Sequence, residues 1–322
     1  MVLGSDLPMP PTSWGGAENI MWQQKLYLES QGHIVKILNA PKKKTIAGIK
    51  AQPWRYDVVH LHLDSISRTW CKLARWFHLR LALTSHFGYA AFPHLWSEKN
   101  PKYEGYFQAI LQVPYQIVLS PEIRDMLIGR GYKGRIFVLP NGIDCAGMKF
   151  NAAPAPKQTI LLGKIEDRKK QKFIGRVLEG KPVECDLIGP NEDPPFLGNG
   201  SNVRYLGTWN RDQVRNTLTD YAVMILISDG EAHAGVLLEA MAAGLSLVIS
   251  AECAHNLDTD QPWIYLVDRD SGDLATVLTK AVQENPRYRS AIRKYCEETF
   301  DWSVIGPKYL DVLQAIAADA RP

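Results

Sequence analysis

The feature that most constrains this chain is an alternation. Short apolar runs of strand length recur along it, separated by stretches of helical length. "HIVKIL" (33–38), "DVVHLH" (57–62), "LALTSHF" (81–87), "QIVLS" (116–120) and "RIFVLP" (135–140) form one series. "TILLGKI" (159–165), "VECDLIG" (183–189), "VRYLG" (203–207), "AVMILIS" (222–228) and "LSLVIS" (245–250) form a second. "AENIMWQQKLYLESQG" (17–32), "RDQVRNTLTDY" (211–221) and "AGVLLEAMAAG" (234–244) read as helices between them. Near-continuous apolar strands alternating with helices belong to parallel sheets covered on both faces. The pattern predicts an α/β fold with two doubly wound parallel sheets, joined at the Ala- and Pro-rich stretch "NAAPAPKQ" (151–158). Ligands of such sheets bind beyond the carboxyl ends of the strands, so two halves facing one another would enclose a central cleft. From Asn285 onward the chain reads as helical, with breaks at Phe300–Trp302 and at Pro307.

Composition narrows the class. The 322 residues are 46% hydrophobic and 22% charged, an ordinary globular balance whose length suits two domains better than one. No apolar run approaches the ~20 residues that span a bilayer. The first residues, "MVLGSDLPMPPTSWGG", lack the charged and apolar regions of a secretory signal. The five cysteines are scattered and form no C-x-x-C pair, which excludes a disulfide framework or a zinc site and points to free thiols in a reducing, cytoplasmic setting. A net charge of +3 does not argue for nucleic acid, and no nucleic-acid partner is expected.

Chemistry concentrates in residues 222–244. The strand "AVMILIS" runs into the turn "DGEAHAG", and a helix begins near Ala234 or Gly235. A strand, a glycine-bearing turn and a helix N-terminus make an anion site, because free N–H groups and the positive dipole end meet there. A diphosphate fits, and Gly235 lets the backbone approach closely. Glu231 stands at the mouth of this site. Glu239 lies inside the helix, ~7.5 Å of rise beyond Ala234. One carboxylate can serve the phosphate end and the other a diol about a nucleoside length away. Glu239 is flanked by Leu237, Leu238, Ala240 and Met241, so an exposed face is doubtful and a buried carboxylate needs partners.

"GEAHAGVLLEAMAAG" resembles the E-x7-E signature of retaining GT-B glycosyltransferases of the family-4, group-1 type. The resemblance extends over most of the chain: "SWGGAE" (13–18), "GHIV" (32–35), "YDVVHLH" (56–62), "TSHFG" (84–88), "VLPNGID" (138–144), "GKIEDRKKQ" (163–171), "VRYLGTW" (203–209) and "FDW" (300–302). It implies two Rossmann-like domains facing a central cleft: an acceptor-binding domain over 1–150, a nucleotide-sugar-binding domain over 151–302, and a closing helix over 303–322 that packs back towards the first. It implies a nucleoside-diphosphate sugar as donor, no cofactor and no metal. Lys164 and Lys169 take the family's arginine and lysine positions and would neutralise the leaving diphosphate, helped by the backbone of Ala234, Gly235 and Val236. Glu239 would hold the ribose and Glu231 the donor sugar. Gly15 and Gly16, before the first helix, would bind the donor by allowing its close approach. His86 would stand at the reacting centre and Asn141 on the acceptor side, though Asn141-Gly142 also reads simply as a turn. Lysine at 164 loses a bidentate fork, and Lys170 replaces the family's glycine.

"SRTWCKLARWFHLRL" (67–81) spaces Arg68, Lys72 and Arg75 along one helical face. That face is either a solvated stripe over a core-facing one or a peripheral contact with an anionic membrane carrying a lipid-linked acceptor. The acceptor is otherwise a glycan or a small molecule. An epimerase-like enzyme that alters a nucleotide sugar without transferring it, or a non-catalytic sugar-nucleotide-binding protein, would carry the same motif.

Overall fold

The computed structural model describes residues 2–3, 9–11, 15–38, 44–86, 102–191, 202–269 and 273–320. The chain divides into two compact units. One is built from Met1–Pro11, Gly15–Gly142 and Trp302–Pro322, the other chiefly from Ile143–Asp301.

The first unit holds a parallel sheet in the order β2-β1-β3-β4-β5-β6, from β1 (Val2–Leu3), β2 (Ile37–Leu38), β3 (Val59–Leu61), β4 (Leu81–Leu83), β5 (Tyr115–Val118) and β6 (Arg135–Val138). Its helices are α1 (Gly16–Ser30), α2 (Lys44–Lys50), α3 (Ser67–Phe77), α4 (Lys102–Ile110), α5 (Pro121–Gly129) and, from the far end of the chain, α10 (Trp302–Ala318). Helix α10 packs on α1 and joins Ile20, Leu28, Ala82 and Ile117 in one core through Trp302, Ile305, Tyr309 and Ile316. Its last turn is tied down where Arg135 Nη1 meets the Asp319 carboxylate at 2.6 Å and Arg80 Nε donates to the Asp319 carbonyl at 2.8 Å.

The second unit holds a parallel sheet in the order β12-β11-β10-β7-β8-β9: β7 (Lys157–Leu162), β8 (Cys185–Ile188), β9 (Val203–Tyr205), β10 (Tyr221–Leu226), β11 (Ser246–Ile249) and β12 (Ile264–Leu266). Its helices are α6 (Gln171–Leu178), α7 (Arg211–Thr217), α8 (Gly235–Ala242) and α9 (Leu274–Phe300). The apolar strands are continuous because both faces are covered. Met224 and Leu226 enter one core with α8, while Val223 and Ile225 enter another with α6 and the start of α9. Numbered within the unit, the strand order is 3-2-1-4-5-6 read from the β9 edge, so the topological switch lies between β7 and β10.

Three expectations change. The units exchange at Gly142–Ile143, and the stretch 151–158 belongs to the second unit. It is held there: the Asn151 N–H donates to Thr219 Oγ1 at 2.9 Å and its carbonyl accepts from the buried Arg289 at 2.9 Å. Pro307 does not break a helix, since α10 runs through it and only Asp301 interrupts the two terminal helices. The lost backbone bond costs about 3 kcal/mol, and the buried stripe of α10 offsets it. Residues 211–221 are also not one helix, because α7 ends at Thr217 and Tyr221 already opens β10.

All five cysteines are free and buried. No helix among the described residues is long and apolar enough to cross a membrane. None of their His, Cys, Asp and Glu side chains gather in a group of three or more that could hold a metal ion.

Candidate active site

The switch point of the second sheet brings two turns together. The first leaves β7. Gly163 donates its N–H to the Ile188 carbonyl at 2.8 Å, and the chain then winds into a short 3-10 turn, Asp167–Lys169. Gln171, buried at the start of α6, braces this loop: its side chain donates to the Lys164 carbonyl at 2.8 Å and accepts from the Glu166 N–H at 3.2 Å. Lys169 is 9% exposed and folds back over Gly163, where an added Cβ would stand 3.2 Å from its ammonium.

The second turn leaves β10. Ser228, buried, is fixed by Ser250, whose Oγ donates to the Ser228 carbonyl at 3.1 Å. Glu231 Oε1 lies 3.7 Å from Lys169 Nζ and accepts from Arg168 Nη1 at 2.9 Å. The same guanidinium donates to Ser228 Oγ at 3.0 Å, to the Gly230 carbonyl, and through Nη2 to Glu166 Oε1 at 2.8 Å. The two turns also share a backbone bond, Asp229 N–H to the Arg168 carbonyl, at 3.0 Å. Burial disfavours the charged guanidinium, but the Glu231 and Glu166 carboxylates outweigh it and hold the Arg168 pKa above its ordinary value. Burial, reinforced by the Glu231 charge, pushes the nearby Cys253 thiol up to about 12.

Beyond the second turn α8 begins. No side chain caps its N-terminus, its first turn carries no acid, and nothing lies within 4 Å of where a Gly235 Cβ would stand. Glu239, 9% exposed on this apolar helix, is paired with Arg211 Nη1 at the head of α7. Arg211 is presented by a capping box in which Asn210 and Gln213 satisfy each other's backbone N–H groups at 2.9 Å.

In the first unit a second cluster forms at the ends of β3 and β4. His62 Nδ1 and His86 Nε2 are 2.9 Å apart. His60 Nδ1 meets Tyr309 Oη at 2.9 Å and its Nε2 meets Thr84 Oγ1 at 2.8 Å. Burial lowers the pKa of His60 to about 3 and of His86 to about 4, so these rings are neutral at physiological pH.

The sequence profile of Glycosyltransferase Family 4 matches residues 44–146, and that of Glycosyl transferases group 1 matches residues 159–284. Sucrose-phosphate synthase from Thermosynechococcus elongatus superposes with a TM-score of 0.81 over 99% of both chains at 16% identity. The Anabaena protein HepE, solved with UDP-glucose, gives 0.75 over 98% of both chains at 17% identity. A glycosyltransferase from Rickettsia africae gives 0.73 over 99% of this chain and 98% of that one at 15% identity. No curated protein sequence matches. The chain is a GT-B glycosyltransferase.

In this glycosyltransferase the switch point of the second sheet gathers Lys164, Lys169, Glu231, Ala234, Gly235 and Val236 on the two neighbouring turns, with Glu239 one turn into α8. His86 lies in the first unit with His60 and His62. Gly15 and Gly16 open α1, where the Gly15 carbonyl accepts from Asn19 Nδ2 at 2.9 Å and the buried Glu18 occupies the first turn. Asn141 is buried, and the glycine after it packs on Trp302, 3.1 Å from an added Cβ. Residues 13–14 of the Gly-rich loop and 87–88 of "TSHFG" lie outside the described residues.

Sequence reasoning missed three partners. Arg168 holds Glu231, Arg211 holds Glu239, and Lys170 pairs with Asp229 at 3.0 Å. Asp229 is also met by Arg269 at 3.3 Å, which reaches Glu252 at 3.3 Å. The available signal for the first was the density of charge in "EDRKK" directly after a strand, where three adjacent cations need acids to hold them.

Proposed function

We propose that the enzyme transfers a sugar from a nucleoside-diphosphate sugar to an acceptor hydroxyl, with retention of configuration and without a metal. The observation that carries this reading is Lys169, an almost buried ammonium at the sheet's switch point that faces Glu231 beside an uncapped helix N-terminus. A departing nucleoside diphosphate gains negative charge in the transition state, and fixed cations and N–H groups at that place lower the barrier. Lys169 and Lys164 meet the diphosphate together with the backbone of Ala234–Val236. Gly235 has the open space that a phosphate needs. Glu239, oriented by Arg211, accepts from the ribose diol, and Glu231 accepts from hydroxyls of the donor sugar. The first unit supplies the acceptor side, where neutral His86 orients donor or acceptor and Asn141 lies close to the acceptor, while its Gly15-Gly16 turn contributes to donor binding. No assigned residue is a base for inversion, and the leaving phosphate itself takes the acceptor proton. HepE, solved with UDP-glucose, makes uridine the first base to try. Free, buried thiols support a reducing, cytoplasmic setting.

The test is a thermal-shift panel of UDP-, GDP- and ADP-sugars, followed by calorimetry with the best ligand and product analysis. A ligand that binds only the native state raises the melting temperature. Released nucleoside diphosphate and a glycoside of unchanged anomeric configuration are expected. Absence of any nucleoside diphosphate binding, or near-normal turnover in both Lys169→Ala and Glu231→Ala, overturns the assignment.

A further inference from the structure

The first unit carries a surface to which none of the residues assigned above belongs. It comprises α2, the short 3-10 turn Pro53–Arg55, and α3. These three pieces are joined by contact. Gly48 of α2 lies on the Trp70 ring of α3, and the Trp54 ring packs on Phe77 at the end of α3 with centroids 5.0 Å apart. Helix α3 is sharply two-sided. Ser67, Trp70, Cys71, Leu73 and Ala74 are buried. At roughly 100° per residue, Arg75, Arg68, Lys72 and Trp76 fill one continuous arc on the opposite side, and all four are exposed. Trp76 is 75% exposed, which is extreme for an indole, and Ile46 on α2 is 52% exposed. Lys50 and Arg55 add exposed cations beside them, and no acid occurs in any of the three segments. The nearest exposed acid along the chain is Asp57.

We infer that this face docks the protein on an anionic membrane surface. The cations complement acidic headgroups, and an exposed indole finds its preferred place at the boundary between headgroups and acyl chains. Ile46 separates this occupant from nucleic acid: an aliphatic side chain gains by entering the acyl boundary and offers no face on which a base stacks. The inference does not depend on the nucleotide-sugar reading.

The test is co-sedimentation of the full chain with vesicles of phosphatidylcholine alone and of phosphatidylcholine with phosphatidylglycerol, at low salt. The protein pellets with the anionic vesicles only. Each cation removed weakens partitioning about fivefold, so the triple variant Arg68→Gln, Lys72→Gln, Arg75→Gln loses roughly 100-fold. Trp76→Ser loses about tenfold. A charge-matched control off the face, Arg287→Gln, Lys294→Gln, Lys308→Gln, retains binding. If Trp76→Ser does not fold, quenching of wild-type tryptophan fluorescence by brominated lipid reports the same insertion. Three results overturn the inference: no partitioning into anionic vesicles, equal losses in the control and the triple variant, or tighter binding to poly(U) RNA than to vesicles that the triple variant abolishes. Titration with UDP, performed alongside, reports separately on the donor site.

Discussion

Arg168→Met is the most informative perturbation of the donor site. It removes the guanidinium but keeps an unbranched apolar stem in a part-buried position. Four acceptors each lose one hydrogen bond: Ser228 Oγ, the Gly230 carbonyl, Glu231 and Glu166. Hydrogen bonds between charged groups contribute about 1.5–3 kcal/mol each. The side chains here are 26% (Arg168), 15% (Glu231) and 27% (Glu166) exposed, so water screens part of that. About 1 kcal/mol for each carboxylate and somewhat less for the two neutral acceptors gives a loss of about 2–3 kcal/mol. That corresponds to a melting shift of roughly 4–12 °C in the second unit. The functional effect is separable from the structural one. If Arg168 serves only to aim Glu231, UDP affinity stays within about threefold while turnover falls about 100-fold, the penalty of a carboxylate displaced by about 1 Å. Arg168→Lys keeps the charge without the fork and lands between. Turnover within twofold of wild type in Arg168→Met refutes the positioning role. A tenfold or larger loss of UDP affinity refutes it differently, by making Arg168 a phosphate ligand.

Three further outcomes follow from the same contacts. Glu239→Gln keeps the shape but weakens the pair with Arg211, and calorimetry should show UDP binding at least about tenfold weaker, while loss of UDP affinity below twofold would remove Glu239 from the ribose. Lys170→Gly restores the family's residue at a backbone of φ 54. Relief of left-handed strain, ~1 kcal/mol, is then set against the half-buried Asp229 pair and glycine's entropy, so chemical denaturation should show a net change under about 1 kcal/mol. The third is a pH dependence. His60, His86 and His233 have folded pKa values of about 3, 4 and 3, below their unfolded 6.5. The unfolded chain therefore binds protons that the folded chain refuses, and stability is complete above pH 6.5 and declines as pH falls from there toward 4. Urea unfolding measured across that window checks it, and NMR signals assigned to His60, His86 or His233 that titrate near pH 6.5 in the folded protein would contradict it.

Which parts of this were legible in sequence follows from physical cause. Strand β10 is apolar throughout, and β7, β8 and β11 end in apolar runs, because helices cover both faces, and burial leaves a mark in composition. Strand β12 leaves none: at the sheet edge Leu266 is 50% exposed and Tyr265 half-buried, so "IYL" resembles any loop. Glu239 was legible as a buried carboxylate that needed a partner, but not which partner. Arg211 is 28 residues away in sequence and meets it only because α7 and α8 are packed in one core cluster with the sheet.

The fold changes the meaning of "EDRKK". Read along the chain it is a charged loop that carries Lys169 at the family's lysine position. In the fold its consecutive cations take three different directions. Arg168 turns to Ser228, Gly230 and Glu231, Lys169 folds inward over Gly163, and Lys170 reaches Asp229. Lys170 can do so because its backbone is left-handed at the junction of the 3-10 turn with α6, the conformation for which the family uses glycine. A glycine there would supply the turn without the ion pair. Lysine keeps the turn at some strain and adds a second tie, beside Arg168, between the two loops that present Lys169 and Glu231. The substitution that looked like a departure from the family pattern thus reinforces the geometry the pattern exists to create.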